Sequence, residues 1–141
     1  MPIRGLLLAL LLLTVSPQNQ PRLPIHVESL IYPQLARQAR ITGDAVLVAH
    51  IGSDGTVSIP IRKSGHPLLL QVAEDNLKKW RFQRGEDQEM EITYHFKLTK
   101  TSSDSAQTEC VFDLPASVMI SSPLPPVETN YSSPKGKPAH K

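Results

Sequence analysis

The chain has a single cysteine, Cys110, in 141 residues. An internal disulfide and a zinc site built on cysteine pairs are therefore excluded. Cys110 stands in a Ser- and Pro-rich stretch, where a silent surface thiol is expected; a reactive thiol or an intermolecular bond are the alternatives. Aromatic residues make up only 5% of the chain, and 15 basic against 13 acidic residues leave a formal charge of +2. With neither a basic stripe nor a stacking platform, nucleic acid is not an expected partner. Of the five histidines, none pairs with another at metal-ligand spacing, and no His-Glu-x-x-His occurs. His50 and His95 fall on the polar side of two strands and are read as scattered surface residues. No Gly-rich phosphate loop is present, and Ser64-Gly65-His66 lacks a third orienting group. No metal, cofactor or catalytic residue is expected, so the chain is not read as an enzyme. No apolar run reaches the roughly 20 residues of a membrane-spanning helix.

What is present begins at the N-terminus. Arg4 precedes an apolar run over residues 5–15, and polar residues follow from Ser16. A short positive region before a run of this length has the form of a signal peptide. Residues 1–20 are assigned to it, which predicts a periplasmic or secreted protein. The alternative is an uncleaved segment that anchors the chain in the inner membrane; only then would the protein contact the membrane. No cysteine follows the run, so a lipoprotein anchor is not expected.

Apolar periodicity is dense over residues 25–100. Tyr32-Pro33 opens a short helix in which Leu35, Ala36 and Ala39 share a face, with Pro33 in the first turn. Gly43 ends it and admits a strand, in which Ala45, Leu47, Ala49 and Ile51 alternate with Val46, Val48 and His50. Asp54-Gly55 marks a hairpin, and Val57, Ile59 and Ile61 form the return strand. Pro60 in that strand demands an edge position or a bulge. Pro67 starts a second helix, with Leu69, Val72, Ala73, Asn76, Leu77 and Trp80 at helical spacing. Met90, Ile92, Tyr94, Phe96 and Leu98 then alternate with Glu89, Glu91, Thr93, His95 and Lys97, as in an antiparallel sheet with helices on one side. The expected fold is α+β: a small three-stranded antiparallel sheet with two helices on one face. Residues 101–141 are rich in Ser and Pro and read as a mostly disordered tail. Within it, the apolar clusters at 111–114 and 118–120 are the segments able to dock.

Taken in order, these pieces resemble the C-terminal domain of the TonB energy-transducer family, over residues 26–98. The resemblance rests on Tyr32-Pro33 with Ala36, on Gly43 leading to Asp54-Gly55-x-Val57, on Trp80-x-Phe82 at the helix end, and on the last strand with Phe96. All of these are read as structural anchors. The resemblance implies a protein-binding module, in which an exposed strand edge takes an extended segment of an outer-membrane transporter. The strand over residues 90–98, with Glu91, Thr93, His95 and Lys97, is the first candidate edge, and the segment 25–31 is the second. Val46 and Val48 leave apolar surface on the outer sheet face, so a homodimer or a structural role in the envelope is the alternative. Transducers of the family carry an inner-membrane anchor and a long Pro-rich spacer. Here the domain follows a short signal-like segment closely, so proton-driven energy transduction is not expected.

Overall fold

Alternating apolar residues bring the two longest strands together, and the rest of the chain builds outward from them. The structure, a computed structural model, describes residues 20–58, 60–100 and 107–126. The assignment of residues 1–20 to a signal segment therefore falls outside the described residues, apart from residue 20. In chain order the elements are β1 (Pro24–His26), α1 (Gln34–Gln38), β2 (Gly43–Ile51), β3 (Ile61–Ser64) and α2 (Pro67–Leu77). They continue with β4 (Arg81–Phe82), β5 (Gln88–Thr99), β6 (Glu109–Asp113) and β7 (Ser117–Pro123). β2 and β5 pair antiparallel in unbroken register from Gly43↔Phe96 to Ile51↔Gln88. β1 and β4 form a separate two-stranded ribbon.

The fold is α+β with two helices, as expected, but the main sheet has five strands rather than three, in the order β3-β2-β5-β7-β6. The two extra strands come from the segment read as a mostly disordered tail. That reading is corrected over residues 109–123, whereas 101–106 and 127–141 lie outside the described residues. β6 and β7 form an antiparallel hairpin, and β7 lies parallel to β5 from Thr93↔Ser117 to Thr99↔Pro123. Composition concealed the hairpin because a few residues carry its burial. Val118 and Ile120 are fully buried, Ser122 nearly so, and Phe112 packs edge-on against Trp80 at 5.9 Å between ring centroids.

One sheet face carries the core. Ala45, Leu47, Ala49 and Ile51 of β2, Ile92, Tyr94 and Phe96 of β5, and Val118 and Ile120 of β7 meet Ala36, Leu69, Ala73, Leu77 and Trp80. Burying large rings contributes most in a domain this small. Trp80 lies 6.2 Å from Phe82 and 6.3 Å from Tyr94, and Tyr32 meets Phe96 edge-on at 5.5 Å. α1 buries Ala36 alone, whereas Leu35 and Ala39 of the expected shared face are exposed. Five residues make little more than one turn, too short to present a continuous stripe. Pro33 is the N-cap of α1, with extended backbone, and does not sit inside the first turn. Pro67 does occupy the first turn of α2, where the His66 ring nitrogen caps the Leu68 N–H at 3.2 Å.

The hairpin after β2 is less regular than alternation predicts. Asp54 Oδ1 accepts from the Thr56 N–H and hydroxyl at 3.0 and 2.7 Å, while Gly55 takes φ +88°. These two bonds hold the Asp54 carboxyl below its ordinary range. Val57 then bridges Ile51, and Thr56 bridges Arg81. Regular pairing resumes only at Ile61, beyond the buried Pro60. Pro60 has no N–H for a ladder, so the return strand breaks there and β3 stays at the sheet edge.

Candidate partner-binding surface

A domain that captures extended peptide needs unpaired backbone at a sheet edge. β5, the first candidate, is not such an edge along residues 93–99. It lies between β2 and β7, and the Thr93 N–H donates to the Ala116 carbonyl at 2.9 Å. The chain's own strand β7 fills the position along residues 93–99 where a partner segment was expected.

The predicted partner-contacting residues instead share the sheet face opposite the helices. Glu91 is exposed and bonded to the Lys63 ammonium. Thr93 is half-buried between Val46 and Ser117, its direct cross-strand partners. His95 Nδ1 lies 2.7 Å from Asp44 Oδ1, and Lys97 is exposed opposite Ser121. Val46 and Val48 are half-buried on the same face, where Val48 is paired with the 63% exposed Ile61. The structure thus gathers all six predicted residues on one face, without placing them at an edge. His50 lies opposite Glu89, 4.0 Å from Asp87, and no group of His, Cys, Asp and Glu among the described residues is arranged to hold a metal ion.

The second candidate, the segment 25–31, is partly engaged. β1 pairs with β4 through an irregular register, and the Asn76 amide holds the chain beyond it by donating to the Glu28 carbonyl at 2.9 Å. Asn76 also accepts from the Trp80 indole and the Tyr94 hydroxyl, both at 3.0 Å. Burial first, and the nearby Cys110 thiol second, push the Tyr94 hydroxyl far above its ordinary value. Helical spacing identified Asn76 as an inward position, but its polar role was missed. An amide within an otherwise apolar buried set is the signal for it.

Among the described residues the outermost strands of the sheet are β3 and β6. β3 has four residues and a register shift against β2. Its Arg62 is tied to Glu74 at 2.6 Å and to Gln71 at 2.7 Å, and its Lys63 to Glu91. Short, bulged and charged, it has the features that blunt an edge. β6 has five residues in continuous register with β7 and, among the described residues, no strand on its far side. Cys110, half-buried on the inner side of β6, takes a hydrogen bond from the Leu30 backbone, and burial raises its thiol above the ordinary value. The silent surface thiol of the sequence reading is thus a packed one.

Of the residues read as structural anchors, Trp80, Phe82 and Phe96 are buried, Gly43 opens β2 at φ +127°, and Tyr32 is buried with its hydroxyl donating to the Ile41 carbonyl. Arg22 is an anchor that periodicity does not reveal. Its guanidinium ties the chain entering β1 to the carbonyls of Gly52, Glu86 and Gln83. No helix among the described residues is long and apolar enough to cross a membrane. A family model described as Gram-negative bacterial TonB protein C-terminal matches residues 28–99. No curated protein matches the chain.

Proposed function

Since the chain belongs to the TonB C-terminal family, we propose that it is an exported protein-binding module of the bacterial cell envelope. It takes an extended segment of a partner, with outer-membrane transporters the first class to test, by strand addition. The observation that carries this reading is the β6 edge: five residues in unbroken register, open on one side, in a protein-interaction domain whose β5 edge is already filled by β7. Residues 1–20 act as the export signal, 25–100 form the family domain, and the 109–123 hairpin moves its working edge outward by two strands. Membrane contact arises only where the N-terminal segment is retained. A photoreactive residue at position 111, compared with one at position 35 on the helix side, tests the surface in intact cells. Adducts with envelope proteins are expected from position 111; adducts from position 35 alone would place binding elsewhere.

A second reading is a dimerising or structural envelope protein. The 63% exposed Ile61 lies beside Val48 on the open sheet face, and the 41% exposed Met119 shares that face beyond β5, which favours it. Sedimentation of the full chain decides this reading. A dimer that Val48→Lys dissociates supports it, and a monomer at high micromolar concentration excludes it.

A further inference from the structure

From the side chains along β6, and resting on the strand-addition reading above, we infer that this edge selects a basic extended segment. The partner pattern is Lys/Arg-x-apolar-x-Lys/Arg. Residues two apart on a strand point to one face, so Glu109, Val111 and Asp113 stand in a row on the open face: acid, apolar, acid. Val111 is 48% exposed and continues into Met119, its cross-strand partner. On the same face Asp44 is hydrogen-bonded to His95 and Glu91 is ion-paired with Lys63. Neither Glu109 nor Asp113 has an ion-pair partner among the described residues.

The other side of β6 is fixed. Phe112 packs on Trp80 and Cys110 meets the Leu30 backbone, so the edge is held straight before any partner arrives. Little ordering cost then falls on the module when a strand is added. The charge pattern also decides against a second copy as occupant. Two β6 strands paired antiparallel about Val111 set Glu109 of each copy opposite Asp113 of the other, and like charges directly opposite are unfavourable. A basic residue on either side of an apolar one reverses both contacts. Because the row is symmetric about Val111, the pattern fits a parallel or an antiparallel partner equally.

The test is an NMR titration of the isotope-labelled full chain with three end-blocked nine-residue peptides. Their central sequences are Lys-Thr-Val-Thr-Lys, Gln-Thr-Val-Thr-Gln and Glu-Thr-Val-Thr-Glu. The basic peptide should shift the β6 amides and bind roughly ten-fold more tightly than the glutamine peptide, the acidic one more weakly still. Added salt should narrow the spread. The double variant E109K/D113K changes only exposed side chains and should invert the order. Equal binding of all three peptides at β6, or an order that survives the double variant, overturns the charge inference and leaves strand addition standing. Silence of the β6 amides with every peptide, in the parent chain and in the tail variant described next, overturns both. The tail residues Lys135, Lys137 and Lys141 supply the remaining control. If the basic peptide binds only after all three are changed to Glu, the occupant is the chain's own tail and the partner inference falls.

Discussion

The Trp80 indole N–H, three residues beyond α2, donates to the side-chain oxygen of Asn76 on that helix at 3.0 Å, within the core. The same oxygen accepts from Tyr94 of β5, and the Asn76 amide nitrogen holds the Glu28 carbonyl. One side chain therefore ties helix, sheet and N-terminal segment together. Asn76→Leu leaves the Trp80 and Tyr94 donors without this acceptor, at about 1–3 kcal/mol for each donor left buried and unpaired. Tyr94→Phe removes one donor and leaves the other paired, so it should cost about 1 kcal/mol. Urea unfolding of both variants gives the comparison; equal losses would show that Asn76 is not the shared acceptor.

Ile120 tests the hairpin as part of the core. It is fully buried on β7, between β5 and β6. Ile120→Ala should cost about 2–5 kcal/mol, the range for emptying a packed aliphatic site. The amides of β7 should be protected from hydrogen exchange nearly as well as those of β5. A loss near zero, with unprotected β7 amides, would return residues 109–123 to a loose tail.

How far the sequence revealed this fold differs from element to element. Met90, Ile92, Tyr94 and Phe96 identify β5 because strict alternation has one physical solution, a half-buried strand. Asp54-Gly55 identifies a turn because only that chemistry accepts the backbone it needs. β7 is harder to read. Val118 and Ile120 flank Met119 in one brief apolar run among Ser and Pro, and their partners Tyr94 and Phe96 lie more than twenty residues away. Alternation this brief carries no signal until a neighbour is known. The same gap misplaced the candidate site, since β5 is an edge only for a chain that ends its sheet there. The six residues named from sequence lie on one face because period two is local, whereas the edge position depends on a hairpin that composition hides.

Glu74 gives the domain an acid-sensitive link. The bond from Lys78, 2.8 Å away, and then that from Arg62 at 2.6 Å hold its carboxyl below the ordinary glutamate value. A lowered folded-state value means that the stabilisation is complete above the unfolded-state value, about pH 4.3. It is lost as pH falls through the folded-state value. Unfolding curves of the parent chain and Glu74→Gln should lie apart near neutrality and converge in acid. High salt should draw them together at neutral pH, because Arg62 and Lys78 are partly exposed. A constant gap from pH 7 to pH 3 would dissociate the stability of the link from this carboxylate.

Three glycines separate backbone strain from steric exclusion. Gly43, Gly55 and Gly65 all have positive φ, +127°, +88° and +135°, so alanine is strained at each. Their surroundings differ. A Cβ on Gly43 meets nothing within 4 Å, one on Gly65 lies 2.7 Å from the Asp44 carbonyl oxygen, and one on Gly55 lies 2.0 Å from that of Phe82. Gly43→Ala should therefore cost strain alone, about 1–3 kcal/mol. Gly65→Ala adds a backbone contact that only a shift of β2 relieves, and should cost more. Gly55→Ala forces apart the two chains joined by the 2.9 Å bond from Phe82 N–H to the Gly55 carbonyl. Phe82 is core, so that displacement opens the packing around Trp80, and a domain with a total stability of about 5–15 kcal/mol should not fold. The urea midpoint should fall further for Gly65→Ala than for Gly43→Ala, and Gly55→Ala should show no unfolding transition. A folded Gly55→Ala variant as stable as Gly43→Ala would mean that the Asp54-Gly55 turn does not approach Phe82 this closely, and that the turn serves only to reverse the chain.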